Sequence, residues 1–192
     1  NVGKKLPGVL ILPAWKGIDN EAKNAATELQ KKGYIAFVAD IYGEGNIPAD
    51  NAAAAKIAGS YKQDYKAYQQ RISVALEELK KQGANPEKIA VIGYCFGGTG
   101  ALETARAGFP VSGVVSIHGG LAKGIERLNV PIKAKVRVEH PAEDESVKPE
   151  DLTGKSFQPL TTALRAVKEE LNLSLDPKEV ISKKSFIIKE FY

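Results

Sequence analysis

The chain is organised around Ile89-Ala90-Val91-Ile92-Gly93-Tyr94-Cys95-Phe96-Gly97-Gly98, an apolar run that breaks into glycines around the only cysteine. Ile89 to Ile92 is β-branched and nearly continuous, which is typical of a parallel strand buried on both faces. The residues from Gly97 to Arg106 then favour a helix. This stretch therefore predicts a strand, a sharp turn and a helix, with Cys95 at the turn.

That order of elements gives the pattern G-x-S-x-G its chemical meaning, and here Gly-Tyr-Cys-Phe-Gly places Cys95 in the position of the nucleophile. A nucleophile on a strained turn needs neighbours without side chains where the strand and helix backbones approach, and Gly93 and Gly97 meet that need. At the N-terminus of the helix, the helix dipole and unpaired N–H groups would favour thiolate over thiol. The alternative is that Cys95 is simply a small buried apolar residue.

The composition is that of an ordinary soluble α/β domain. The chain has 192 residues, of which 43% are hydrophobic, so one domain spanning residues 1–192 can bury a sizeable core. The net charge is only +4 and the lysines are scattered beside glutamates, so no nucleic-acid partner is expected. No apolar run approaches the length of a membrane span. One cysteine excludes an internal disulfide and a thiolate zinc cluster, and with two histidines no metal site is expected.

The amino terminus and the location of the protein are less constrained. The chain begins with Asn1 and contains no methionine, so we expect a processed or truncated amino terminus. A cytoplasmic location is favoured, while a processed secreted form stays open. The oligomeric state is also left open by the sequence.

The other segments alternate between strands and helices. Apolar runs predict strands at 8–12, 34–39, 111–117 and 134–138, and helices are predicted from Asp19 or Asn20 to Gly33, from Pro48 to Ala58 and from Asp64 to Gln82. Such alternation predicts a mostly parallel sheet with helices on both faces. Functional loops should gather at the carboxyl ends of the strands, where the strand order reverses. Leu160 to Leu171 predicts a further helix, and 185–192 is left open between strand and helix.

Five segments together resemble the dienelactone hydrolase family of the α/β-hydrolase superfamily, in order and over about residues 6–150. These are Leu10–Gly17, Ala39–Gly43, Gly93–Gly98, Ser116–Gly120 and Pro131–Val136. The resemblance is specific because most α/β-hydrolases carry serine where this chain has cysteine. It implies an α/β-hydrolase fold and a Cys, Asp, His triad. Such a triad opens a small ester or lactone through a thiol acyl-enzyme, with no metal or organic cofactor.

Carried over residue by residue, the resemblance makes Cys95 the nucleophile and Asp144 the acid that orients a histidine. The oxyanion hole, which binds the negatively charged oxygen of the tetrahedral intermediate, would use the backbone N–H groups of Phe96 and Trp15. Each assignment has a plainer alternative. Asp144 can cap the next turn, and Trp15 can be a cover over the core.

Two positions depart from the family pattern. Ala14 stands where members that act on dienelactones carry a glutamate, which argues against a dienelactone as the substrate. The family's catalytic histidine lies after the acid, whereas no histidine follows His140 here. Without that imidazole there is no obvious general base for the thiol proton or for water. His118, at the end of the strand predicted beside the cysteine strand, is the candidate substitute base, and His140 is expected to be structural.

Three explanations for the missing histidine stay open: an incomplete chain, a divergent member that has lost turnover, or a histidine from elsewhere. The main hypothesis is a hydrolase that cleaves a small-molecule ester or lactone through Cys95. The alternative from another class is a binding protein that keeps the pocket without the triad histidine. A third hypothesis is a redox-sensing thiol, since an exposed cysteine of low pKa oxidises readily.

Overall fold

The computed structural model describes residues 5–123, 127, 130–140 and 186–187. The strands and helices alternate along most of this part of the chain. In order they are β1 (Pro7–Leu12), α1 (Asn20–Lys31), β2 (Ile35–Val38), α2 (Asn51–Gln63), α3 (Tyr65–Lys81), β3 (Asn85–Tyr94), α4 (Phe96–Arg106), β4 (Gly113–Ile117), β5 (Lys135–His140) and β6 (Phe186–Ile187). None of the helices described has the length and apolar character needed to cross a bilayer.

The strands form one sheet in the order β2-β1-β3-β4-β5-β6. The first five strands of the chain run parallel, and β6 pairs antiparallel with β5. The strand order reverses at β1, because β2 lies on one side of it and β3 on the other. The mostly parallel sheet predicted from the sequence is confirmed, and its switch point lies beside the cysteine strand.

Helices pack against both faces of the sheet, and β1 shows why. Leu10 and Leu12 belong to the larger core cluster, whereas Val9 and Ile11 pack with Ala22 of α1 on the other face. Alternate residues of a strand point to opposite faces, so an uninterrupted apolar run implies that both faces are covered. All five side chains are buried.

Several elements begin or end one or two residues from their predicted bounds, and two of them, β3 and α2, differ by more. β3 begins at Asn85 rather than Ile89, because Asn85 pairs with Pro7 across a shift of register. α2 runs over 51–63 instead of 48–58, since Asp50 caps it by accepting the N–H of Ala53 at 2.7 Å. The helix predicted over 160–171 lies outside the described residues. Of the segment 185–192, the described residues 186–187 form a strand.

A buried carboxylate ties α4 to the connection after β4. Glu103 is 3% exposed and accepts hydrogen bonds from Arg106 at 2.8 Å, from Arg127 at 2.7 and 2.9 Å, and from Gln69 at 2.9 Å. The Arg127 guanidinium also lies 3.5 Å from the ring centroid of Tyr65. Burial alone would raise the pKa of Glu103, but the hydrogen bonds and charges of the two arginines outweigh it and lower that pKa.

Replacing this carboxylate by its neutral isostere in Glu103→Gln should lower the free energy of unfolding at pH 7 by about 3 kcal/mol, because two guanidinium groups, each on a side chain only 12% exposed, lose their counter-ion. The folded state holds the carboxylate at a lowered pKa, so the unfolded chain binds more protons in acid. The stability that Glu103 adds is fully present above the unfolded pKa of about 4.3 and is lost as the pH falls through the folded pKa. Urea denaturation between pH 7 and acid should therefore show the two proteins converging as the pH falls.

Glu28→Gln is the matched control, because Glu28 makes an i,i+3 pair with Lys31 on an exposed helix face, as Glu103 does with Arg106 in the interior. Losing the exposed pair should cost no more than about 0.5 kcal/mol. Equal losses in the two variants would contradict the role of Glu103 as a buried anchor.

Candidate active site

Cys95 lies between the last residue of β3 and the first residue of α4. Its backbone has a φ of 51° and a ψ of −109°, a conformation that costs a residue with a side chain on the order of 1–3 kcal/mol. Its N–H donates to the carbonyl of Ile117 at 2.8 Å, and its carbonyl accepts from the N–H of Thr99 at 3.2 Å. The strained turn predicted from the sequence is present, and the cysteine is partly exposed.

Glycines allow three stretches of backbone to meet around this turn. A Cβ atom on Gly93 would overlap the carbonyl of Gly97, and one on Gly97 would overlap the carbonyl of Leu12 at the end of β1. A Cβ atom on Gly98 would lie 2.8 Å from the Cα of Gly119, in the turn after β4. The steric reason given above for the first two glycines is confirmed. The ends of β1 and β4 both pack against the first turn of α4.

Trp15 lies in the turn that follows β1, beside the switch point of the sheet. The N–H of Gly17 donates to the carbonyl of Ala14 at 3.0 Å. Because a trans peptide is planar, holding the Ala14 carbonyl also sets the direction of the Trp15 N–H. On the other side, the hydroxyl of Tyr42 donates to the carbonyl of Trp15 at 2.7 Å. Trp15 is thus held at both of its peptide groups.

Phe96 is the first residue of α4, so its N–H has no acceptor within the helix. The carbonyl of the same peptide, that of Cys95, is held by the N–H of Thr99. The carbonyl of Phe96 itself accepts from the hydroxyl of Tyr68 at 3.0 Å. Tyr68 is fully buried, and its ring stacks on that of Phe96 with centroids 4.6 Å apart. The Phe96 amide therefore also has both of its neighbouring carbonyls fixed.

An aromatic cluster lies behind the turn, with ring centroids between 4.6 and 6.4 Å apart. Its members are Tyr42, Tyr61, Tyr68 and Phe96. Burial, followed by the proximity of Tyr61 and Cys95, raises the pKa of Tyr42, and burial is also the main cause that raises the pKa of Tyr68. Both hydroxyls therefore stay protonated at neutral pH and remain hydrogen-bond donors.

The structure brings most of the predicted site residues to one edge of the sheet. Cys95, Phe96 and Trp15 lie at the carboxyl ends of β3 and β1. His118 directly follows Ile117, whose carbonyl accepts the Cys95 N–H, so the His118 backbone lies beside the turn. His118 has a φ of 56°, and its N–H donates to the carbonyl of Glu139 in β5 at 2.7 Å.

Two predicted features have no side-chain description. Asp144, the predicted acid, lies outside the described residues, and His140 is described only as the last residue of β5. In the described ranges, no group of three or more His, Cys, Asp or Glu side chains is arranged to hold a metal ion.

Sequence reasoning missed the hydroxyl of Tyr42 and the role of Arg71. The segment that contains Tyr42 carries part of the family resemblance, but nothing in it indicates a bond to a residue 27 positions away. Arg71 of α3 donates to the carbonyls of Asp40 and Ile41, at 3.0 and 2.7 Å, and so braces the loop after β2. The position of an arginine next to the apolar residues of a helix does not indicate, from sequence alone, that it binds backbone carbonyls of a distant loop.

The model of the dienelactone hydrolase family matches residues 1–175. The chain belongs to the dienelactone hydrolase family. Among curated proteins, the chain is 33% identical over 104 residues to a "Probable 2-oxo-3-(5-oxofuran-2-ylidene)propanoate lactonase" of a Bradyrhizobium species. That match covers 53% of this chain and 42% of the relative.

Two solved structures share the fold of this dienelactone hydrolase family member. One, named m3DLH, has a TM-score of 0.73 and 31% identity, over 85% of this chain and 66% of its own. The other, P91, a dienelactone hydrolase-like promiscuous phosphotriesterase from metagenomic libraries, has a TM-score of 0.73 and 32% identity, over 84% of this chain and 66% of its own. The α/β-hydrolase fold is confirmed, and the chain spans less than two thirds of the length of these relatives.

The close approach of α4 and β1 can be tested with Gly97→Ala. We expect it to lower the free energy of unfolding by about 3 kcal/mol or more, because the new Cβ would overlap the backbone carbonyls of Leu12 and Pro13, which have no flexible atoms to move aside. Chemical denaturation measures the change. Gly59→Ala in α2 is the control, since nothing lies within 4 Å of its added Cβ. It should raise stability by about 0.5–1 kcal/mol, and a similar gain in Gly97→Ala would disprove the overlap.

Proposed function

We propose that this protein is a hydrolase of small esters or lactones, with Cys95 as its nucleophile. The observation that carries the proposal is the strained backbone of Cys95 at the start of α4, beside the ends of β1 and β4. Strain of this kind persists only where the surrounding structure enforces it, and it clusters at sites of chemistry. The family match and the lactonase relative support an ester or lactone bond as the target.

In the first step, the thiolate sulfur of Cys95 attacks the carbonyl carbon, and the carbonyl electron pair moves onto the oxygen. The N–H groups of Trp15 and Phe96 donate to that oxyanion. Hydrogen bonds to the neighbouring carbonyls already hold both peptides in place, so little reorganisation is needed as charge develops. When the carbonyl re-forms, the bond between the carbonyl carbon and the leaving oxygen breaks, and the alkoxide takes a proton from water. In a lactone the alkoxide stays attached as the other end of the opened ring.

In the second step, water attacks the thioester carbonyl, a general base takes the proton of the water, and the Cys95 sulfur leaves as the product acid is released. The family resemblance gives the base to a histidine that Asp144 orients. His118 is the candidate substitute for that base. Neither step requires a metal or an organic cofactor.

A chromogenic short-chain ester, 4-nitrophenyl acetate, tests the nucleophile. Wild type should release nitrophenolate in a burst and carry one acetyl group on the peptide that contains Cys95, because acylation precedes hydrolysis. Cys95→Ala should release it no faster than buffer, with thermal unfolding showing that the fold is retained. Equal release by the two proteins would refute the proposal. Stabilisation of wild type by a lactone without any burst would favour a non-catalytic binding protein instead.

His118→Asn tests the substitute base separately. Asparagine tolerates the positive φ at this position, so the variant keeps the backbone and removes only the imidazole. We expect its acylation rate to match that of wild type, since the substitute base is assigned to the water of the second step. A fall in deacylation on the order of 100-fold, measured after the burst, would identify His118 as the base. An unchanged deacylation rate would remove it from the mechanism.

A further inference from the structure

Tyr42 touches both sides of the proposed oxyanion hole. Its hydroxyl donates to the carbonyl of Trp15 at 2.7 Å, and its ring centroid lies 5.6 Å from that of Phe96. The ring also faces Gly17, where an added Cβ would lie 3.6 Å from the Cδ2 atom of Tyr42. Only 7% of Tyr42 is exposed. One buried side chain therefore contacts the turn after β1 and the residue that begins α4.

The loop after β2 holds Tyr42 in this position. The side-chain amide of Asn46 donates to the carbonyl of Tyr42 at 3.1 Å. Arg71 braces the two preceding carbonyls, those of Asp40 and Ile41, from α3. The location of the hydroxyl is thus set by backbone bonds on both sides of the residue, and it does not depend on an exposed, freely rotating side chain.

We propose that Tyr42 is a positioning residue, whose hydroxyl holds the turn after β1 so that the N–H groups of Trp15 and Phe96 point at the same oxygen. The inference rests on the function proposed above. Without the hydroxyl, the Trp15 carbonyl loses its only partner among the described residues, and the turn gains freedom about its backbone dihedrals. A misaligned donor stabilises the oxyanion less, which slows every reaction that passes through one.

The test compares two reactions of the same sulfur in the protein. Acylation by 4-nitrophenyl acetate passes through an oxyanion, whereas alkylation by iodoacetamide displaces iodide and passes through none. Losing a donor outright costs on the order of 100-fold, so we expect the smaller misalignment in Tyr42→Phe to slow acylation of Cys95 by about 10-fold. Alkylation should be unchanged. A purely structural role would slow neither reaction or both.

Tyr61→Phe is the matched control. Tyr61 belongs to the same aromatic cluster, with its centroid 6.0 Å from that of Tyr42, and its hydroxyl makes no hydrogen bond to the described part of the chain. The variant should keep both rates of wild type. Thermal unfolding of the two variants checks that each retains the fold.

Three outcomes separate this inference from the proposed function. The measured quantity is the ratio of the acylation rate to the alkylation rate. If this ratio is higher in wild type than in N-acetylcysteine, and the excess is lost in Tyr42→Phe but not in Tyr61→Phe, the positioning role is supported. If wild type shows that excess and Tyr42→Phe keeps it, or slows equally in both reactions, the positioning role is overturned while the proposed function stands. If wild type shows no excess over the free thiol, the oxyanion hole is absent and both fail.

Discussion

Three stretches of backbone meet at Cys95 with no side chain between them, and the geometry of the site follows from that close approach. The first turn of α4 lies against the end of β1 because Gly97 leaves room for the carbonyl of Leu12. It lies against the turn after β4 because Gly98 faces Gly119. Within so narrow a junction the cysteine is held at a positive φ. Its strain is therefore a consequence of glycine packing on both sides.

Tyrosine hydroxyls complete the junction by holding backbone carbonyls. Tyr68 binds the carbonyl of Phe96 and Tyr42 binds the carbonyl of Trp15, both from within the core beneath the switch point of the sheet. Burial keeps both hydroxyls protonated, so they serve as donors over a wide range of pH. The aromatic cluster consequently has two physical roles. Its rings fill space against the sheet, and the hydroxyls of Tyr42 and Tyr68 restrict the peptide groups around the cysteine.

Local chemistry explains which parts of the site could be predicted from the sequence. Gly93 and Gly97 can be identified from the sequence because a tight strand-to-helix turn excludes a Cβ atom at those positions. Their spacing on either side of the cysteine reflects that requirement. The bond from Tyr42 to Trp15 spans 27 positions and follows no period of helix or strand. The sequence predicts a mostly parallel sheet but not the order of its strands. Which strands are neighbours depends on contacts between segments that are distant in the sequence. The role expected of Asp144 rests on family resemblance alone.

The hydrogen bond from the Cys95 N–H to the carbonyl of Ile117 also bears on how the protein is made. The backbones that surround the sulfur come from the ends of β1, β3 and β4, which are far apart in the unfolded chain. Bringing such segments together closes long loops, which costs entropy. A nascent chain that has not yet exposed β4 lacks the carbonyl of Ile117, which accepts the Cys95 N–H in the folded protein. The backbone of the cysteine thus depends on a partner that is synthesised after it.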